Sequence, residues 1–128
     1  MIQPGQILIV DDEPSLLKMM SMYLRRLGYQ VVTAVSAEEG LQALKLQPGG
    51  FAVAVLDATM SGPTLDELAK EMLNATPRLC VIAASGYPVD MTALESAAPG
   101  RVTFLHKPFA PEMLASTVRR MLDTQETV

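Results

Sequence analysis

The sequence predicts an α/β fold, a five-stranded parallel sheet with helices on both faces. Two observations carry this. Five short apolar segments rich in β-branched residues alternate strictly with five segments of helical character. The central segment, Phe51-Ala52-Val53-Ala54-Val55-Leu56, shows no polar alternation, as expected for a strand covered on both sides.

Each element has its own local reason. Ile7-Leu8-Ile9-Val10 is too short for a helix and stops at Asp11-Asp12-Glu13-Pro14, so it reads as a buried strand. From Pro14, apolar residues recur at Leu17, Met20, Leu24 and Leu27, the spacing of one helical face, and Gly28 closes the helix. Gln30 to Ala34 is the second strand. Ser36-Ala37-Glu38-Glu39 has the capping-box pattern and opens a helix running to about Leu46, before Pro48-Gly49-Gly50. The third strand, Phe51 to Leu56, ends in a carboxylate, Asp57. Thr64-Leu65-Asp66-Glu67 is a second capping box, starting a helix that ends between Asn74 and Pro77. Leu79 to Ala84 is the fourth strand and leads into Ser85-Gly86. A short helix from Asp90 to Ala97 stops at Pro99-Gly100, and Val102 to Leu105 is the fifth strand. Pro111 opens the last helix, with Leu114, Val118, Met121 and Leu122 on one face.

At 128 residues the chain has the size of one domain, expected to span 1–128 without an attached effector module. With 49% hydrophobic and 19% charged residues it falls in the globular range, away from the composition of disordered chains. The net charge of −4 argues against a surface built to neutralise nucleic-acid phosphates, so no direct nucleic-acid contact is expected. The longest apolar runs, Phe51 to Leu56 and Leu79 to Ala84, are far short of the ~20 residues that cross a bilayer. The amino terminus lacks the basic and apolar regions of a secretory signal, and the single Cys80 has no internal partner for a disulfide. The expected address is the cytoplasm. Cys80 reads as a buried, inert thiol, and the nine Met residues as a softly packed core.

In an open parallel sheet the ligand site lies beyond the carboxyl ends of the strands, where the winding direction reverses. The strand ends here carry Asp11-Asp12, Asp57, Ser85 and Lys107. Three carboxylates within ~4 Å repel by about 4 kcal/mol per pair at an effective dielectric near 20, so such a cluster calls for a counter-cation. Carboxylate oxygens suit magnesium or manganese. A carboxylate beside a divalent ion, an ammonium and a hydroxyl can accept a phosphoryl group: Asp57 attacks in line, the cations hold phosphoryl oxygens, and Ser85 donates to the remaining one. Each residue alone has a plainer reading. Asp11-Asp12-Glu13 could be an acid cluster favoured by a helix dipole, Asp57 a strand-end turn, Lys107 a solvated charge and Ser85-Gly86 a turn. Their joint placement favours the phosphoryl site.

These residues resemble the receiver domains of two-component response regulators. The resemblance rests on Ile7-Leu8-Ile9-Val10-Asp11-Asp12-Glu13-Pro14, Val55-Leu56-Asp57-Ala58-Thr59-Met60, Ala84-Ser85-Gly86-Tyr87 and Phe104-Leu105-His106-Lys107-Pro108-Phe109, in that order along nearly the whole chain. It implies the flavodoxin-like strand order 2-1-3-4-5. It implies Asp57 as phospho-acceptor, and a magnesium ion held by Asp11, Asp12, Asp57 and the backbone carbonyl of Thr59. It further implies Lys107 and Ser85 as phosphoryl-binding groups, Ser85 and Phe104 as switch residues, and Thr59 and Tyr87 as the positions controlling water access. Neither Thr59 nor Tyr87 is a carboxylate or an amide, so shielding from water is expected rather than its direction. The implied phosphodonor is a histidine kinase or a histidine phosphotransfer domain, and the implied peptide before Pro108 is cis. The receiver of a hybrid sensor kinase is one context, suggested by Ser85-Gly86-Tyr87 and Lys107 to Glu112; a stand-alone regulator is the other. Ser61 and Leu65 replace the Pro and Gly common in the family, and Gly62-Pro63-Thr64 suggests a reshaped loop.

Two other functions fit the sequence less well. A magnesium-dependent aspartyl-phosphate phosphohydrolase shares the chemistry, but places Asp-x-Asp after its first strand and usually needs a longer chain. A phosphorylation-independent receiver-like binding module usually lacks one of the acids or the Lys. Flavin binding is disfavoured by the acidic loop after the first strand. His106, by strand alternation, should face away from Lys107 and play a surface role. Once phosphorylated, the contact to Lys107 is worth about 1.5 to 3 kcal/mol and the Ser85 hydroxyl about 1 more. Inverting a 1:99 equilibrium takes about 5.5 kcal/mol, so phosphorylation alone is expected to shift the population in part, with an unidentified output partner completing it.

Overall fold

The computed structural model describes residues 5–126. Ten elements alternate along the chain: β1 (Gln6–Val10), α1 (Pro14–Arg26), β2 (Val31–Ala34), α2 (Ala37–Leu46), β3 (Phe51–Asp57), α3 (Leu65–Ala75), β4 (Cys80–Ser85), α4 (Thr92–Ala97), β5 (Val102–His106) and α5 (Pro111–Glu126). The strands form one parallel sheet in the order β2-β1-β3-β4-β5. The chain steps from β1 outward to β2, then back past β1 to β3, so the winding reverses between β1 and β3. Asp11 and Asp57 stand at the carboxyl ends of these two strands, at the crevice the reversal opens.

The central strands are covered on both faces. Ile7 and Ile9 of β1 and Val53 and Val55 of β3 pack with Leu17, Met20 and Leu24 of α1 and Leu114 and Val118 of α5. The alternate residues Leu8, Val10, Ala54 and Leu56 pack on the other side with Leu44 of α2, Leu68 and Met72 of α3, and Leu94 of α4. Period two thus sends successive side chains into two different cores, which is why β3 needs no polar position.

Local signals placed most boundaries within a residue. Thr64 accepts from the Glu67 amide (3.2 Å) while the Glu67 carboxylate accepts from the Thr64 amide (2.9 Å), a complete capping box. The Ser36 cap is only half of one. Ser36 Oγ accepts from the Glu39 amide, but the Glu39 carboxylate reaches back to Val35, one residue further than expected. Gly28 takes φ +99° and its amide donates to Arg25, closing α1 as the sequence suggested. Leu27 does not join the buried helical face: it caps α1 beyond its last turn and is exposed. β4 sits one residue later than expected, because the Leu79 amide is used by the turn to Thr76 and Ser85 pairs with His106. α4 starts at Thr92, two residues late, since Asp90 caps the Thr92 amide from outside. The methionine core is thinner than expected. Only Met20, Met72 and Met121 are buried, Met22 and Met113 are exposed, and Met1 lies outside the described residues. Cys80 is buried, as expected.

Gly40 lies in the interior of α2, where Ala would ordinarily be favoured by about 1 kcal/mol. A Cβ there would stand 2.8 Å from Val10 Cγ2 and 3.3 Å from Met72 Cε. Close approach of α2 to β1 therefore reverses the sign: Gly40→Ala is expected to destabilise the fold by about 1–3 kcal/mol in urea unfolding. An unchanged or raised midpoint would mean that Val10 moves aside at no cost.

Candidate functional site

Asp11 is the first residue past β1. Its carboxylate is nearly fully buried and accepts from the Glu13 amide at 2.9 Å, a local turn that fixes the side chain. Asp57 ends β3, also buried, and the Ala58 amide continues the sheet by donating to the Ala84 carbonyl. Asp57 Oδ1 accepts from the Thr59 amide (3.0 Å) and from the Thr59 hydroxyl (2.8 Å). Lys107 follows β5 and is anchored by its own amide to the Ser85 carbonyl. Its ammonium bridges two acids, 3.2 Å from Asp11 Oδ2 and 3.4 Å from Asp57 Oδ1. Asp12 is exposed, yet Asp11, Asp12 and Asp57 each offer an oxygen within 4.8 Å of the others. Asp11, Asp12, Asp57 and Lys107 are therefore gathered at one rim.

The electrostatics are strained in one direction. Burial pushes the Asp11 carboxyl above its ordinary range and the nearby Asp57 charge adds to this, outweighing the lowering by the Glu13 amide and Lys107. Burial works against the Lys107 charge, but its contacts with Asp11 and Asp57 hold its pKa above the usual lysine value. One ammonium against three carboxylates leaves two negative charges uncompensated. With oxygens within 4.8 Å and an effective dielectric near 20, each acid pair repels by at least about 3.5 kcal/mol. Clustered hard oxygen donors with two surplus charges fit a divalent cation such as magnesium.

Ser85 is 1% exposed at the end of β4, and its Oγ accepts from the Tyr87 amide at 3.0 Å. With that bond filling an acceptor position, the Ser85 hydrogen is free to donate elsewhere. Tyr87 contributes its backbone here, while the side chain is 71% exposed. Phe104 is half-buried on β5, its ring 6.2 Å from that of His106 and tilted by 45°. His106 is exposed, as strand alternation required, and Lys107 turns to the rim. The Lys107-Pro108 peptide is cis, and Gly62 in the loop after Asp57 takes φ +105°.

Sequence reasoning missed two features. One is the Thr59 hydroxyl bond to Asp57, and the other is the use of the Tyr87 amide rather than its ring. The Asp-x-Thr spacing was the available signal for the first, since an Asp side chain commonly accepts from the residue two positions on.

Strand order and rim together define a doubly wound α/β protein whose chemistry is concentrated at the carboxyl edge of its sheet. The chain belongs to the response regulator receiver domain family of two-component systems, whose family model matches residues 7–119. It is similar to the sensor kinase CckA of Brucella abortus, at 33% identity over 94% of this chain and 13% of that protein. It is likewise similar to the transcriptional regulatory protein GlrR of Escherichia coli, at 30% identity over 94% of this chain and 27% of that protein. The chain thus spans well under a third of either relative. Among solved structures, a CheY-like response regulator receiver domain protein from Methanospirillum hungatei superposes with a TM-score of 0.83 at 28% identity, over 98% of both chains. Among the described residues no helix is long and apolar enough to cross a membrane.

Proposed function

We propose that this chain is a cytoplasmic, phosphorylation-dependent signalling switch acting as a single receiver domain, with Asp57 as its phospho-acceptor. The observation that carries this reading is the buried Asp57 carboxylate sharing one ammonium, Lys107, with Asp11 inside a three-acid cluster. Asp11, Asp12, Asp57 and the Thr59 carbonyl would hold magnesium, or manganese, and when bound the ion supplies positive charge to the phosphoryl oxygens. The donor is a histidine kinase or a histidine phosphotransfer protein. An Asp57 oxygen forms the new bond to phosphorus as the phosphorus–nitrogen bond of phosphohistidine breaks, and the electron pair stays on the imidazole, which takes up a proton. Lys107 lies where it can follow the incoming charge, and the unspent Ser85 hydrogen is the second donor. Thr59 and Tyr87 flank the approach of water. The chain is not a turnover enzyme in this reading, although it assists its own phosphorylation and dephosphorylation.

Ser85 is paired with His106 on β5, two residues from Phe104. A shift of Ser85 toward the phosphoryl group would let Phe104 turn inward, altering the face of α4, β5 and α5, where the output partner would bind. Incubation with acetyl phosphate and magnesium, followed by intact mass, tests the central claim. One added phosphoryl group is expected with magnesium and none with a chelator in its place. No mass gain under either condition would overturn it.

A further inference from the structure

The edge of the sheet opposite the acidic rim holds a cavity of about 380 Å³, within the size range of small-ligand sites. Two turns wall it. Pro77 and Arg78 lead towards β4, and Pro99, Gly100 and Arg101 lead into β5, with Cys80 at the start of β4 between them. These are the amino ends of β4 and β5, whereas Asp57 and Lys107 stand at carboxyl ends, so the cavity is separate from the phosphoryl chemistry. Its lining is mostly apolar, yet it includes two guanidiniums, Arg78 and Arg101, and no carboxylate, in a chain of net charge −4.

Arg101 is held by three carbonyls. Its Nε donates to Leu79 at 3.0 Å, and Nη2 donates to Thr76 at 3.0 Å and to Leu73 at 3.4 Å. Leu73 and Thr76 end α3, where carbonyls lack helical partners and carry partial negative charge. A guanidinium has five N–H donors, and these bonds leave both hydrogens of Nη1 unspent. Among the described residues no carboxylate pairs with Arg101. Carbonyl dipoles thus orient the charge without neutralising it.

We infer that this cavity binds a small carboxylate with an apolar body, its oxygens held by Nη1 of Arg101 and its hydrocarbon part laid between Pro77 and Pro99. A carboxylate matches the planar fork of a guanidinium, and the apolar walls exclude the water that would otherwise screen the contact. A bare inorganic anion would use the charge and not the walls. A neutral compound of the same shape would use the walls and not the charge.

Backbone amide shifts of the full chain, followed during separate titrations with benzoate, benzamide and sulfate, test this. Benzoate is expected to give saturable shifts at Cys80, Gly100 and Arg101, with a Kd on the order of 1 mM. Benzamide and sulfate should each bind at least about tenfold more weakly, since each lacks one half of the recognition. Arg101→Lys keeps the charge but loses the fork, and should weaken benzoate binding by a similar factor. Pro99→Glu is the variant that leaves Arg101 and its carbonyls in place. Pro99 is exposed, and Gly100, at φ +75°, still supplies the position on which the turn depends. The new carboxylate on the cavity wall should compete for Arg101 and weaken benzoate binding at least about tenfold. Benzoate that fails to saturate, that is matched by benzamide or sulfate, or that binds Pro99→Glu as tightly as the native chain overturns the site, whatever Arg101→Lys does to the fold.

Discussion

Asp57→Asn is expected to abolish phosphoryl uptake while leaving the fold intact. Asn matches the shape of Asp, so no cavity opens at the end of β3, where the residue is buried. Its amide oxygen can still accept from the Thr59 amide and hydroxyl, which now bond Asp57 Oδ1. Lys107 keeps its 3.2 Å contact with Asp11. What disappears is the anionic oxygen that attacks phosphorus, and the rate should fall on the order of a thousandfold or more, as when an enzyme loses its nucleophile. Intact mass after incubation with acetyl phosphate and magnesium reads the loss, and a circular dichroism melt verifies the fold. Undiminished phosphorylation of the Asn variant would place the acceptor elsewhere.

Lys107→Met is expected to cost the metal-free protein about 2–3 kcal/mol at neutral pH, and magnesium should recover much of it. Removing one member of a fully buried ion pair typically costs about 3–5 kcal/mol. The Lys107 side chain is 20% exposed, so solvent screening reduces that figure. Methionine matches the aliphatic stem, which confines the effect to charge. Three carboxylates would then face one another without their ammonium. The direction with pH follows from Asp11. Its carboxyl pKa is raised in the folded chain, chiefly by burial, so the native state holds that proton more tightly than the unfolded state does. This contribution is fully present below the ordinary Asp range and is lost as pH rises through the raised value. Loss of Lys107 strengthens the effect, so acidification should narrow the gap between variant and native protein. Urea unfolding with chelator, with magnesium, and at two pH values measures all three. Equal stability of the two proteins in chelator at neutral pH would show that the 3.2 and 3.4 Å contacts contribute nothing net.

The fold was legible because its signals are local. Helix starts at Ser36 and Thr64 are written in their own side chains, and Gly28 and Pro111 mark an end and a beginning. The uninterrupted apolar run of β3 already implies two covering layers. Errors fell where a neighbour competed for the same backbone group. The turn at Thr76 took the Leu79 amide and delayed β4, and the side chain of Asp90 postponed the start of α4. Leu27 fits the helical spacing but lies past the last turn, where periodicity no longer describes the direction of a side chain.

By itself, the sequence determined the alternation of strands and helices and set three acids and a lysine at strand ends, since both depend on residue type and short-range spacing. Which atoms meet was decided by the tertiary structure alone. Lys107 reaches Asp11 and Asp57 across the sheet, Gly40 is pressed on Val10, and the Thr59 hydroxyl rather than some other donor closes on the Asp57 oxygen. Such choices depend on differences of an ångström between elements brought together by packing, and no pattern along the chain encodes a distance that arises only when both hydrophobic cores have closed.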